Sequence, residues 1–176
     1  GGVLGMTAIR KVGFVGIGNM GNPMAAHLVK AGFDVCIYDI NPEASARFVE
    51  LYRGTVAASL ADIGHHAEVV ITMLPTDKIV REAVLGKDGV ASTLAQGAIV
   101  VDMSTSDPVA TQSLAQALAP RGIPVVDAPV MGGVVFAKDG TLDIMVAGDN
   151  TAVERVTPVL RAMGDRKSTC LNSSHV

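Results

Sequence analysis

Three glycines and one acid carry the clearest chemistry in the chain. Gly16, Gly18 and Gly21 stand in Val12-Gly13-Phe14-Val15-Gly16-Ile17-Gly18-Asn19-Met20-Gly21, directly after an apolar run. Asp39 closes a second apolar run about twenty residues further on, the distance at which a strand–helix–strand unit returns to the same edge. In such a unit the first glycine permits the tight turn out of the strand. The second lets the backbone approach a pyrophosphate, and the third lets the new helix pack close to the sheet. The unpaired N–H groups and positive dipole end of that helix attract a diphosphate without a lysine or arginine. A bare GxGxxG has little weight, but here an apolar run precedes it and a helical pattern follows. Gly16, Ile17, Gly18, Asn19, Met20 and Gly21 are therefore expected to bind a dinucleotide.

Asp39 also discriminates between cofactors. Its carboxylate can accept hydrogen bonds from both adenosine ribose hydroxyls, whereas a 2'-phosphate there would be a like charge in contact. At 4 Å and an effective dielectric near 20, that contact is repulsive by up to roughly 4 kcal/mol per pair of unit charges. The following residues, Ile40, Asn41 and Pro42, offer no cation, and Arg47 reads as a solvated charge on the next helix. NAD is expected, with NADP disfavoured.

The elements that must position these residues alternate along the chain. Short β-branched runs bounded by Gly, Pro or Asp predict strands over 12–17, 34–38, 69–74, 98–102 and 124–128. Helical patterns fall between them at 20–31, 42–52, 59–66, 77–85 and 107–120. Pro23 suits a first helical turn, Gly32 a C-terminal stop, and Asp107-Pro108 a helix start that ends near Gly122. Residues 141–147 predict a further strand, at an edge or antiparallel, and 150–163 a last helix. Strict alternation implies a single α/β domain with a doubly wound, mostly parallel sheet of the Rossmann type.

Ligands in such sheets bind beyond the carboxyl ends of the strands. The predicted ends carry Gly16–Gly21, Asp39, Met73-Leu74-Pro75, Asp102–Ser106 and Asp127–Gly133, which are expected to share one rim. Leu74 and Pro75 would form an extended wall along a cofactor ribose, or simply end a strand. Thr105 would hydrogen-bond the cofactor, or belong with Ser104 and Ser106 to a helix cap. Gly132 and Gly133 would offer backbone N–H groups to a substrate carboxylate, or form a flexible turn.

Composition narrows the classes. With 176 residues, 49% hydrophobic and 18% charged, the chain suits one folded domain rather than a disordered segment. Only 3% is aromatic, so its core must be aliphatic, as helices packed over a parallel sheet require. A net charge of -3 gives no footprint for nucleic acid or an anionic membrane, and no apolar stretch is long enough to span a bilayer. A cytoplasmic location is expected. Gly1–Gly5, ahead of Met6, read as an upstream remnant. Residues 165–176 closely resemble the translation of a sequencing adapter, with Cys170 where that frame would give arginine. The dinucleotide domain is thus expected over 6–164, with Cys36 its single cysteine and no disulfide.

Taken together, these segments resemble the β-hydroxyacid dehydrogenase family, which includes 3-hydroxyisobutyrate dehydrogenase, tartronate semialdehyde reductase and, more distantly, 6-phosphogluconate dehydrogenase. The resemblance runs from about Val12 to Gly164. It is carried by Gly16–Ala25, Met73-Leu74-Pro75, Asp102-Met103-Ser104-Thr105, Asp127-Ala128-Pro129-Val130-Met131-Gly132-Gly133 and Gly140-Thr141-Leu142. It implies a cofactor segment at Gly16–Gly21, a ribose acid at Asp39, a cofactor wall at Leu74 and Pro75, and a cofactor contact at Thr105. It implies substrate contacts at Met131, Gly132 and Gly133, although the family usually has serine where Met131 stands. A methionine cannot donate that hydroxyl hydrogen bond, so the substrate is expected to differ rather than the reaction class.

The resemblance also implies a lysine, on the first long helix of a helical C-terminal domain, that exchanges a proton with the substrate oxygen. That lysine would lie beyond Gly164. Lys138, near the substrate loop, reads as a solvated loop charge, and Lys30, Lys78 and Lys87 as surface charges. His27 lies on the first cofactor helix, and for His65 and His66 capping or surface roles suffice. No cluster has metal-ligand spacing. No catalytic residue and no metal site are expected in this chain. The expected activity of the parent protein is NAD-dependent hydride exchange with a small hydroxyacid, in an enzyme that forms homo-oligomers. The alternatives are a dinucleotide-binding module without chemistry, and a related imine or larger β-hydroxyacid reductase.

Overall fold

The computed structural model describes residues 8–168. The expected remnant at 1–5, and residues 169–176 of the expected adapter segment, lie outside the described residues. The chain runs β1 (Lys11–Val15), α1 (Gly21–Lys30), β2 (Asp34–Tyr38), α2 (Pro42–Tyr52), β3 (Thr55–Val56) and α3 (Leu60–His66). It continues through β4 (Val69–Thr72), α4 (Asp77–Leu85), β5 (Ile99–Asp102), α5 (Pro108–Leu118) and β6 (Val125–Asp127). The last part is β7 (Val130–Met131), α6 (Gly133–Asp139), β8 (Leu142–Val146), α7 (Asn150–Arg161) and β9 (Gly164–Ser168).

The main sheet has six strands in the order β3-β2-β1-β4-β5-β6, all paired in parallel. This is the expected doubly wound topology, and strand order reverses between β1 and β4. Alternate side chains feed two cores. Val12, Phe14, Ile37, Ile71 and Val101 pack with α1, α2 and α7 on one face. Val15, Cys36, Val70 and Val100 pack with Ile63, Val80, Val84, Leu114 and Leu118 on the other. Cys36 is a free, buried thiol, and burial is the main reason its pKa is raised.

A second sheet, β7-β8-β9, joins β6 through an isolated antiparallel bridge between Asp127 and Ala147. β8 is antiparallel to β7 and parallel to β9. β9 was not expected, and it carries the chain past Gly164 into Asp165–Ser168.

Several bounds differ from expectation for local reasons. The strand expected to reach Ile17 stops at Val15, because Gly16 turns to φ +105. The strand expected to reach Leu74 stops at Thr72, and the Leu74 N–H leaves the ladder for the Ser104 hydroxyl. Gly132 and Gly133 do not form a free turn: α6 begins there, and Lys138 lies on that helix rather than in a loop. Ser104 and Ser106 do not cap α5. Asp107 does, accepting from the Val109 N–H at 2.9 Å.

Candidate functional site

Strand register places the expected rim in one row. Tyr38 pairs with Val15, Val15 with Thr72, Thr72 with Asp102, and Asp102 with Asp127. The loops leaving these residues rise from the same carboxyl edge. At the point of reversed strand order, between the loops after β1 and β4, lies a cleft of about 700 Å³. Gly16, Gly18, Asn19, Met20, Gly21, Asp39, Leu74 and Pro75 line it together.

The three glycines differ in what surrounds them. A Cβ at Gly16 would overlap the carbonyl oxygen of Met73, and one at Gly21 would overlap the carbonyl oxygen of Gly16. A Cβ at Gly18 would meet nothing within 4 Å. The first and third glycines therefore serve close packing of backbone on backbone. The second presents open space in the cleft, which is what a pyrophosphate needs.

The start of α1 is open as well. Met20 stands at its N-cap with no side-chain hydrogen bond, whereas Asn41, Ser59, Thr76, Asp107 and Asp149 cap α2, α3, α4, α5 and α7. The Asn22 N–H is taken by the Gly18 carbonyl at 2.9 Å and Pro23 has none, so the donors at this end are the backbone N–H groups of the turn just before them, which line the cleft together with the partial positive charge of the helix start.

Asp39 is already engaged with the loop it serves. One carboxylate oxygen accepts the Ile17 N–H at 2.7 Å and the other the Asn41 N–H at 2.9 Å. Each oxygen keeps a further lone pair for a ribose hydroxyl. Ile17 is itself buried, and contributes its N–H rather than its side chain.

Sequence reasoning missed the apolar part of the cleft. Ile40, 91% exposed, and Leu60, Ile79 and Ala83 also line it. Ile40 carried a usable signal: an isoleucine directly after Asp39, in the turn before a helix, has no core to join.

The remaining expected residues lie apart from the cleft. Thr105 is exposed on the loop after β5 and does not line it. Met131, Gly132 and Gly133 are exposed where β7 passes into α6. Around them Val134, Val135 and Phe136 are exposed too, an apolar patch beside the loop. α6 is tied to α1 by a 2.8 Å hydrogen bond between His27 Nε2 and the Lys138 carbonyl.

Beneath the loops is an acid pair on neighbouring strands, Asp102 buried and Asp127 half-buried. Asp102 accepts from the Thr72 hydroxyl at 2.9 Å, the Ser104 N–H at 3.1 Å and the Ser106 hydroxyl at 2.8 Å. Asp127 is less well served: its Oδ1 is buried with no hydrogen-bond partner. Burial, and then the neighbouring charge of Asp102, push its pKa up from 3.8 to about 6. Between those values the folded chain holds a proton that the unfolded chain has released. This contribution to stability is therefore full below about pH 4 and is lost as pH rises to about 6. Asp127→Asn removes the ionisation. Its melting temperature relative to the parent chain is expected to climb over that interval and stay raised at neutral pH, which thermal melts across the range will check.

The family model described as the NAD binding domain of 6-phosphogluconate dehydrogenase matches residues 11–172. The mitochondrial 3-hydroxyisobutyrate dehydrogenase of Bos taurus is 38% identical over 165 residues, which is 94% of this chain and 49% of that protein. The 3-sulfolactaldehyde reductase of Escherichia coli is 39% identical over 153 residues, 87% of this chain and 51% of the relative. A solved structure of Mycobacterium tuberculosis 3-hydroxyisobutyrate dehydrogenase with L-serine superposes with a TM-score of 0.83 at 34% identity. That superposition covers 92% of this chain and 54% of the other. The chain thus spans about half the length of the curated relatives it matches. Among the described residues no helix is long and apolar enough to cross a membrane.

Proposed function

The chain belongs to the β-hydroxyacid dehydrogenase family, through the NAD binding domain of 6-phosphogluconate dehydrogenase, and from that premise we propose that it holds the cofactor of an NAD-dependent enzyme interconverting a small β-hydroxyacid and its semialdehyde. One observation carries the reading: the open backbone face of Gly18 and the carboxylate of Asp39 line the same cleft at the reversal of strand order.

The residues fit the cofactor in kind. The uncapped start of α1 faces a diphosphate, and the Asp39 oxygens face the adenosine ribose. The apolar side chains of Ile40, Ile79 and Ala83 suit a flat adenine ring. When bound, NAD supplies the hydride chemistry. The chain's own part is to bind, orient and exclude water. Leu74 and Pro75 would wall the cofactor in the cleft, and Thr105, which lies apart from that cleft, would contact the part of it that extends over the β5 end. Gly132 and Gly133 offer backbone N–H groups to the substrate carboxylate, while Met131 packs against an apolar substituent.

The substrate class comes from the relatives, whose names specify 3-hydroxyisobutyrate and 3-sulfolactaldehyde. No residue of this chain is assigned the proton transfer. The 176-residue chain is therefore expected to bind NADH and to turn over no hydroxyacid. Titration of NADH fluorescence should show saturable enhancement that ADP reverses. In the same preparation, NAD and a panel of small β-hydroxyacids should give no NADH. Absence of saturable binding overturns the cofactor reading, and steady NADH production overturns the assignment of proton transfer to a group outside the chain.

A further inference from the structure

We propose that Asp102 and Ser104 are positioning residues for the nicotinamide half of the dinucleotide, a buried bracket that locks the loop carrying Leu74 to the loop carrying Thr105. The proposal rests on the cofactor reading above.

The bracket is built across two neighbouring strands. Thr72 ends β4 and Asp102 ends β5, side by side in register. The Thr72 hydroxyl donates to Asp102, which also holds the Ser104 N–H and the Ser106 hydroxyl. The Ser104 hydroxyl in turn accepts the Leu74 N–H at 2.8 Å and lies 3.4 Å from the Thr72 carbonyl. The chain leaving β4 and the chain leaving β5 are thus fixed to one carboxylate.

None of Thr72, Asp102 and Ser104 lines the cleft of Gly18 and Asp39, and Asp102 borders only a separate hollow beside Asp77 and Ser106. Thr72 is 0% exposed, and Asp102 and Ser104 are 1% each; they are three of five buried polar side chains among the described residues. Holding the strands together does not need them. Val69–Ile71 and Ile99–Val101 pair the same two strands with purely apolar side chains. A buried carboxylate is costly unless its oxygens are satisfied, and an apolar substitute of similar shape is often as stable. What apolar residues cannot do is accept the Leu74 and Ser104 N–H groups and so set the direction in which each loop departs.

Direction matters for one end of the ligand in particular. Asp39, directly after β2, lies on the adenosine side, and a dinucleotide crosses the point of reversed strand order toward the β4 and β5 ends. The loop containing Thr105 stands at that far end. Leu74 lines the cleft beside Asp39 whereas Thr105 stands beyond it, so a bracket joining their two loops should weigh far more on the nicotinamide half than on the adenosine diphosphate half.

Comparing NADH with ADP on the 176-residue chain tests this. Ser104→Ala leaves the Leu74 N–H without its acceptor and is expected to weaken NADH binding about tenfold, with ADP affinity changed by less than about twofold. Asp102→Ala should do the same or more. Asp102→Asn keeps an acceptor oxygen for Thr72 and Ser104, and should restore NADH affinity to within about threefold of the parent chain. Equal losses for NADH and ADP would mean that the bracket supports the domain as a whole, and would overturn the proposal. Unchanged affinity for both in Ser104→Ala would overturn it as well, and that mild variant decides the matter if Asp102→Ala does not fold. A parent chain that binds neither nucleotide points to a different failure, that of the cofactor reading itself.

Discussion

Gly18→Val is expected to abolish useful NADH binding while leaving the fold intact. Apart from its chain neighbours, no heavy atom of the protein lies within 4 Å of the position a Cβ would take at Gly18, so the folded chain has open space for a side chain there. The space it fills is the space assigned to the pyrophosphate. Forcing extra methyl groups into an occupied site costs about 1–3 kcal/mol, so an affinity loss approaching about 100-fold is expected. The neighbouring glycines should behave in the opposite way. A Cβ at Gly21 would overlap the Gly16 carbonyl, so Gly21→Val should destabilise the domain before any question of binding arises. Thermal melts and NADH titrations of the two variants separate these effects. A Gly18→Val chain that binds NADH like the parent would show that the diphosphate does not lie against this turn.

Asp39→Asn is expected to narrow the preference for NADH over NADPH by about thirtyfold. The charge of Asp39 is what a 2'-phosphate meets, and about half of a repulsion of up to roughly 4 kcal/mol should survive solvent screening. Asparagine keeps one side-chain oxygen for the buried Ile17 N–H, and water can replace the other oxygen at the exposed Asn41 N–H. The fold should therefore tolerate the change, and the preference should move mainly because NADPH gains. Competition titrations with both nucleotides measure this. An unchanged ratio would mean that Asp39 serves only to brace the glycine turn.

The parts of the molecule that were legible in the sequence are those fixed by short-range chemistry. The helices expected at 42–52 and 77–85 match Pro42–Tyr52 and Asp77–Leu85, because Asn41 and Thr76 cap them from adjacent positions. The glycine turn and Asp39 were legible for the same reason: each role follows from a neighbour in sequence and a strand end. The helix α6 was not. Val134, Val135 and Phe136 favour strands, and the helix is held by tertiary contacts, with Ala137 buried and His27 bonded to Lys138 from 111 residues away. β3 has only two residues, and β9 carries Asp165-Arg166-Lys167, which lacks any alternation of apolar side chains.

The role of Ser104 was hidden in the same way. A serine beside Thr105 and Ser106 looks like part of a helix cap, and nothing local shows that its hydroxyl belongs to Leu74, thirty positions earlier. The apolar floor of the cleft was partly legible. Ile40 stands next to Asp39, but Ile79 and Ala83 reach the cleft only because α4 packs beside the strand reversal.

A nicotinamide dinucleotide is expected to lie with its diphosphate on the start of α1 and its adenosine ribose on Asp39. Isothermal calorimetry of the folded chain with NADH and NADPH tests it most directly. One NADH per chain, bound more tightly than NADPH, is the expected result. A well-folded sample that releases or absorbs no heat with either nucleotide would contradict it.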